Sequence, residues 1–152
     1  MANKSPYNLD GHRSGYTGLY YLLFSQLQKK ELIVAEIGIE KNASTKLWHK
    51  FFINSEIHGF KFEENKINIA LKENLHNTFY HKLDSSNSKS IQGAFEKTGK
   101  KFDIIIDDST HIFDHQINII YNAHNYLKDN GILIIEDIYK YRDGYEEKKY
   151  YD

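Results

Sequence analysis

The chain has no cysteine, which removes disulfide staples, thiolate metal ligands and thiol nucleophiles from consideration. It carries a single proline, and with 27% charged and 40% hydrophobic residues it fits neither a collagen-like nor a disordered composition. Charge of one sign is missing as well: 20 Lys and Arg face 21 Asp and Glu, for a formal net charge of −1. Without a broad positive field, neither nucleic acid nor an anionic membrane is an expected partner. Long apolar runs are absent too, since residues 104–106 and 132–135 fall far below the ~18 residues that a membrane span requires. Met1 to Pro6 does not lead into an apolar signal core, so the expected compartment is the cytoplasm. A 152-residue chain is one domain of ordinary size. It can bury roughly 68–70% of its unfolded surface without help from a metal or a disulfide.

What is present is an alternation of short β-branched runs with longer stretches of helical spacing, the pattern of βαβ units around a parallel sheet. A first helix is expected over residues 18–30, with Thr17 as N-cap and Leu19, Leu22, Leu23 and Leu27 on the buried face. Strands are expected over 32–37, 57–62, 78–82, 102–107 and 132–135. The helix over 43–52 should bury Leu47, Trp48, Phe51 and Phe52, and the next one Ile67, Ala70, Leu71 and Leu75. A helix over 88–98 should turn Ile91, Ala94 and Phe95 inward. The last, over 114–128, should bury Ile117, Ile120, Tyr121, His124 and Leu127 before the stop signal at 129–131. Residues 102–107 are apolar on both faces, which suits a central strand covered by helices on both sides. One domain over 1–138 is expected, followed by a charged, tyrosine-rich tail at 139–152 to which the pattern assigns no structure.

In an open parallel sheet, ligands bind beyond the carboxyl ends of the strands, where loops diverge and helix N-termini point into the gap. The strand-end residues here are Gly38, residues 61–64, Asp84 and Ser85, residues 107–111, and Glu136 with Asp137. Asp108, Glu136 and Asp137 can offer three oxygen ligands to a hard divalent cation from neighbouring strand ends, with His111 beside them as a base. The same run also reads as a turn in which Asp107 or Asp108 caps the backbone and His111 is solvated, and the acids of the fifth strand tip the balance toward chemistry. Gly38 lacks the further glycines of a dinucleotide fingerprint, so no phosphate-cradling loop is expected. It is a turn residue, or a place where a flat ligand can approach the backbone. Glu36 is open to two readings, an ammonium partner or a solvated strand end.

Together these residues resemble the class I methyltransferases that use S-adenosylmethionine. Val34-Ala35-Glu36-Ile37-Gly38 is similar to the first motif of that family, residues 57–60 to its second strand, and 102–111 with 131–137 to its fourth and fifth. An Asp-Asp-x-x-His loop, a strand ending in Glu-Asp, and Gly15-Tyr16-Thr17 look most like the metal-dependent sugar O-methyltransferases of macrolide biosynthesis and their cephalosporin hydroxylase-like relatives. The resemblance implies an α/β, Rossmann-like three-layer sandwich with parallel strands in the order 3-2-1-4-5, without the last two strands of the methyltransferase fold. It implies S-adenosylmethionine along Glu36 and Gly38, with adenine near Asp84 and Ser85 and with Asp107 also facing the cofactor. It implies magnesium held by Asp108, Glu136 and Asp137, with His111 and Asp108 as the catalytic pair and His111 taking the proton from a sugar hydroxyl. Lys61 stands where the family carries its ribose-binding acid, a role for which Glu63 or Glu64 is the candidate substitute, and Glu40-Lys41 stands where the family has small residues.

The activity expected is therefore methylation of a hydroxyl on a sugar or another small molecule, by a protein compatible with homo-oligomer formation. The alternative is a non-catalytic Rossmann-like module, derived from such an enzyme, that binds a nucleoside or a protein partner.

Overall fold

The computed structural model describes residues 16–138; Gly15 and the 139–152 tail lie outside them. The order is α1 (Tyr16–Phe24) with a 3-10 turn (Ser25–Leu27), β1 (Ile33–Ile37), α2 (Ala43–Phe51), β2 (Glu56–Lys61), α3 (Glu64–Leu71) and β3 (Thr78–Lys82). It continues with α4 (Ser88–Thr98), β4 (Phe102–Asp107), α5 (Phe113–Ala123), a second 3-10 turn (His124–Tyr126) and β5 (Leu127–Ile135). The five strands form one sheet in the order β3-β2-β1-β4-β5, and every pairing is parallel. This is the α/β arrangement and strand order expected from the sequence.

Alternation along the strands divides the core into two layers. Val34, Ile57, Ile104 and Ile106 meet Tyr20 and Phe24 of α1 and Trp48 of α2 on one face, with Phe52 just beyond α2. Ala35, Ile37, Phe60 and Ile105 meet Ile91, Ala94 and Phe95 of α4 and Ile119 and Ala123 of α5 on the other. Each fully buried side chain of this size contributes roughly 1.5–3 kcal/mol, so the helices are held mainly by these faces. No helix among the described residues is long and apolar enough to cross a membrane.

Five local expectations need correction. Helix α1 starts at Tyr16, which puts Thr17 inside its first turn and not at the cap. Its buried residues are Tyr20 and Phe24, whereas Leu19, Leu22 and Leu23 are 50%, 80% and 51% exposed. Tyr16, Tyr20 and Phe24 also recur at helical spacing, and the tyrosine hydroxyls reach buried acids beyond β5 that leucine could not satisfy. Helix α5 buries Gln116, Ile119, Asn122 and Ala123 and leaves Tyr121 70% and Ile120 38% exposed. Its amides pin loops: Gln116 donates to the Glu136 carbonyl at 2.9 Å and Asn118 to the Ser85 carbonyl at 2.9 Å. That helix ends at Ala123, because Leu127 already pairs with Phe102 in β5 and the ladder resumes at Ile132 opposite Ile104. Residues 128–131 thus sit in a register shift within β5 instead of ending a helix. Leu71 is 53% exposed, since α3 stops there and Asn74, at φ 49°, turns the chain.

A histidine pair, His58 buried and His81 partly so, links β2 to β3. The His58 and His81 ring nitrogens lie 2.8 Å apart, and the rings stack between Phe79 and Phe60. Burial, and then the neighbouring His58, push His81 down to about 4, below the ordinary histidine value of 6.5. Between those pH values the unfolded chain binds the proton and the folded chain does not, so stability is complete above pH 6.5 and is lost as pH falls toward 4. Because the ring is only partly buried, the loss attributable to it is on the order of 1–2 kcal/mol. His81→Phe, which retains the stack, should flatten the pH dependence of the urea midpoint between pH 7 and pH 4.5. An unchanged slope would exclude this pair as its source.

Candidate functional site

Backbone hydrogen bonds carry the ladder beyond the strand ends and hold the connecting loops level. The Gly38 amide donates to the Phe60 carbonyl at 2.8 Å, Asp108 to Ile37 at 2.8 Å, Glu136 to Asp107 at 2.9 Å, and Leu83 to Lys61 at 3.0 Å. All five strands therefore deliver their next residues to one edge of the sheet, where an open α/β fold places its ligands.

Over β1 to β3 this edge opens into a cleft of about 350 Å³. Gly38, Glu63, Asp84 and Ser85 line it, joined by Phe60, Leu83, Ser109, Thr110 and His115. His115, to which the sequence offered no guide, is oriented by Thr110, with Oγ1 and Nδ1 2.9 Å apart. Gly38 has φ +107°, and an added Cβ would lie 2.0 Å from the Asp108 carbonyl oxygen. The close approach that requires glycine is thus made by the chain's own β4 loop. Lys61, also in the lining, has Nζ 3.3 Å from Glu40 and 3.4 Å from Glu63. Lys66 shares both acids, at 2.5 and 3.5 Å, and chiefly through this lysine Glu40 is held below the usual carboxylate range.

Glu36 and Asp107 do not line the cleft. Glu36 is fully buried, and its two oxygens accept hydrogen bonds from Thr45 Oγ1 at 2.8 Å and Trp48 Nε1 at 3.0 Å, so it is not a solvated strand end. Trp48 is a core residue, as its spacing indicates, and also a donor. Asp107 is 1% exposed, with Oδ1 accepting the Ser109 amide at 3.2 Å. Burial pushes its carboxyl up to about 7, with the Ser109 hydrogen bonds opposing the shift.

Beside the cleft, beyond β4 and β5, lies a cluster of acids with one imidazole. His111 Nε2 is 3.8 Å from Asp108 Oδ1 and 3.7 Å from Asp137 Oδ2. One donor atom from each of these three residues lies within 4.8 Å of the others. His111 at φ 60° and Asp137 at φ 52° both adopt the left-handed conformation, a departure from ordinary backbone that concentrates at functional sites. Glu136 is buried but turned toward α1, where its Oε1 accepts from Tyr20 at 2.5 Å; Asp137 Oδ1 accepts from Tyr16 at 2.8 Å. The fold thus gathers Asp108, His111 and Asp137, while Glu136 adjoins them through the chain. Burial, followed by Asp137, pushes the Tyr16 hydroxyl up to about 12, and burial with Glu136 raises Tyr20 further. Hydroxyls at 16 and 20 could have signalled this role, but the leucines beside them carried the stronger periodicity.

A doubly wound parallel sheet in this strand order, with polar residues gathered at its carboxyl edge, defines a Rossmann-like domain. The family model described as a methyltransferase domain matches residues 41–150. The chain belongs to that family. It is 28% identical over 147 residues to the 8-demethyl-8-(2-methoxy-alpha-L-rhamnosyl)-tetracenomycin-C 3'-O-methyltransferase of Streptomyces olivaceus, covering 86% of this chain and 34% of that protein. It is 24% identical over 132 residues to the 8-demethyl-8-alpha-L-rhamnosyl tetracenomycin-C 2'-O-methyltransferase of the same organism, covering 81% and 33%. The chain therefore spans about a third of the length of these relatives. Its fold is similar to the MycE methyltransferase of mycinamycin biosynthesis, solved with Mg, SAH and mycinamycin VI, at a TM-score of 0.71 and 22% identity over 84% of this chain and 35% of that one.

Proposed function

We propose that this domain serves S-adenosylmethionine-dependent O-methylation of a hydroxyl on a sugar or another small molecule, assisted by a divalent cation. The observation that carries this reading is the convergence of Asp108, His111 and Asp137 beside the cleft over β1 to β3. The sugar O-methyltransferases among the relatives and the magnesium in the MycE complex support it. The two carboxylates suit the ion, since one oxygen of Asp108 and one of Asp137 lie within 4.8 Å of each other, with His111 Nε2 beside them at 3.8 and 3.7 Å. An ion with bonds of roughly 2.1 Å would bring opposite ligand atoms to about 4.2 Å, so no loop need be rebuilt. Asp108 and Asp137, with Glu136 beside them, would hold it, and a bound cation would lower the pKa of an acceptor hydroxyl.

The remaining roles belong to the chain itself. Gly38, Glu63, Asp84 and Ser85 line the cleft that would take the cofactor, with Glu63 offering an acid to ribose hydroxyls beside Lys61. His111 is the base that would accept the hydroxyl proton as the methyl group is transferred. Glu36, satisfied by Thr45 and Trp48, stiffens the loop edge from beneath. Calorimetric titration with S-adenosylhomocysteine, with and without magnesium, tests this reading. Saturable binding that tightens with magnesium is expected. Absence of binding in both conditions would overturn it in favour of a non-catalytic module.

A further inference from the structure

We propose that Tyr16 and Tyr20 of α1 are positioning residues for the divalent-ion site, each phenol fixing one oxygen of a carboxylate that follows β5. The inference rests on the metal reading above and adds to it a pair of residues far away in sequence. Two hydrogen bonds define the device. Tyr16 donates to Asp137 Oδ1 at 2.8 Å, and Tyr20 to Glu136 Oε1 at 2.5 Å, across 121 and 116 residues respectively.

The two oxygens of Asp137 divide their work. Oδ1 is held by Tyr16 on the helix side, while Oδ2 faces His111 Nε2 at 3.7 Å. A carboxylate that binds an ion through one oxygen gains orientation from a donor on the other, so a phenol in this place selects the rotamer that offers Oδ2 to the cluster. Tyr20 fixes Oε1 of the adjoining Glu136 and so sets that carboxylate's direction beside the cluster, and its own ring is locked. It meets Trp48 edge-on at a centroid distance of 4.9 Å and stacks on Phe24 at 5.8 Å. The backbone of both acids is fixed independently, because Gln116 Nε2 donates to the Glu136 carbonyl at 2.9 Å and reaches the Asp137 carbonyl at 3.5 Å. With the main chain pinned by α5, the phenols of α1 act on side-chain direction. This accounts for the burial of a polar aromatic face of α1 while leucines on its other side remain exposed.

The test is the affinity of the full-length chain for magnesium, read by calorimetry and by the magnesium-dependent rise in melting temperature. Tyr16→Phe and Tyr20→Phe keep the rings and delete only the hydroxyls. Each is expected to weaken magnesium binding about 10-fold or more, the usual effect of removing an outer-shell partner. In a Glu136→Gln background, Tyr20→Phe should produce no comparable further loss, because the carboxylate it orients is gone. Tyr16 is only partly buried, so Tyr16→Phe stays informative if Tyr20→Phe destabilises the helix. Variants that melt lower without magnesium but bind it as the parent does would overturn the positioning role and leave the metal reading standing. A parent chain with no magnesium response would overturn both.

Discussion

Asp108→Asn is expected to abolish the gain in thermal stability that magnesium confers on the parent protein. Asp108 Oδ1 is one of the three donor atoms gathered beyond β4 and β5, and an amide oxygen there offers a far weaker ligand to a hard cation. At a magnesium concentration a hundredfold above its dissociation constant, mass action contributes about 2.7 kcal/mol. For a chain of this length, that corresponds to a rise in melting temperature on the order of 8–10 °C. The variant should lose nearly all of this rise while keeping its metal-free melting temperature within a few degrees. His111→Ala should behave differently, retaining most of the rise and losing 10²–10⁴-fold in turnover, the usual contribution of a general base. Differential scanning with and without magnesium, paired with a methyl-transfer assay, reads both results. A parent whose melting temperature ignores millimolar magnesium would remove the metal from the proposed function.

Gly38→Ala should produce the largest loss of stability among the simple substitutions. The new Cβ would lie 2.0 Å from the Asp108 carbonyl oxygen, 2.4 Å from its carbon and 2.6 Å from Ser109 Cα, and the backbone at φ +107° is one that L side chains rarely adopt. All three neighbours are backbone, so no side-chain rotation relieves the overlap; the β1 and β4 loops must separate. Strain in such a conformation costs about 1–3 kcal/mol by itself, and the forced separation brings the expected loss to about 4 kcal/mol or more. Because Asp108 rides on the displaced loop, the response to magnesium should fall with it. Gly93→Ala is the control, since a Cβ at this position on α4 meets nothing within 4 Å. It should be neutral or stabilise by about 0.5–1 kcal/mol through better helix propensity. Urea denaturation of the three proteins measures the difference, and a Gly38→Ala loss below 1 kcal/mol would contradict the contact.

The elements were legible where burial follows apolar periodicity. β3, α4 and β4 run over the expected residues, and Ile91, Ala94 and Phe95 face inward as their spacing requires. Both misplaced faces have the same cause. In α1 and α5 the buried side chains include a tyrosine, a glutamine and an asparagine, which bury only because each meets a hydrogen-bond partner. Such a partner lies on another element, more than 100 residues away for Tyr20, and no local pattern reports it.

The candidate site divides along the same line. The acids and histidine at the carboxyl ends of the strands follow from the sequence alone, because local runs determine which residues end a strand and parallel βαβ connections bring those ends to one edge, while the strand order came from the resemblance that the motifs carry. Which of these residues converge was decided by the tertiary structure. The left-handed turns at His111 and Asp137 aim their side chains at Asp108, whereas Glu136 turns to Tyr20, and Glu36 is drawn inward by Thr45 and Trp48. A side chain's direction depends on the donors and volumes around it, and those are supplied by elements that meet only when the sheet and its helices have closed.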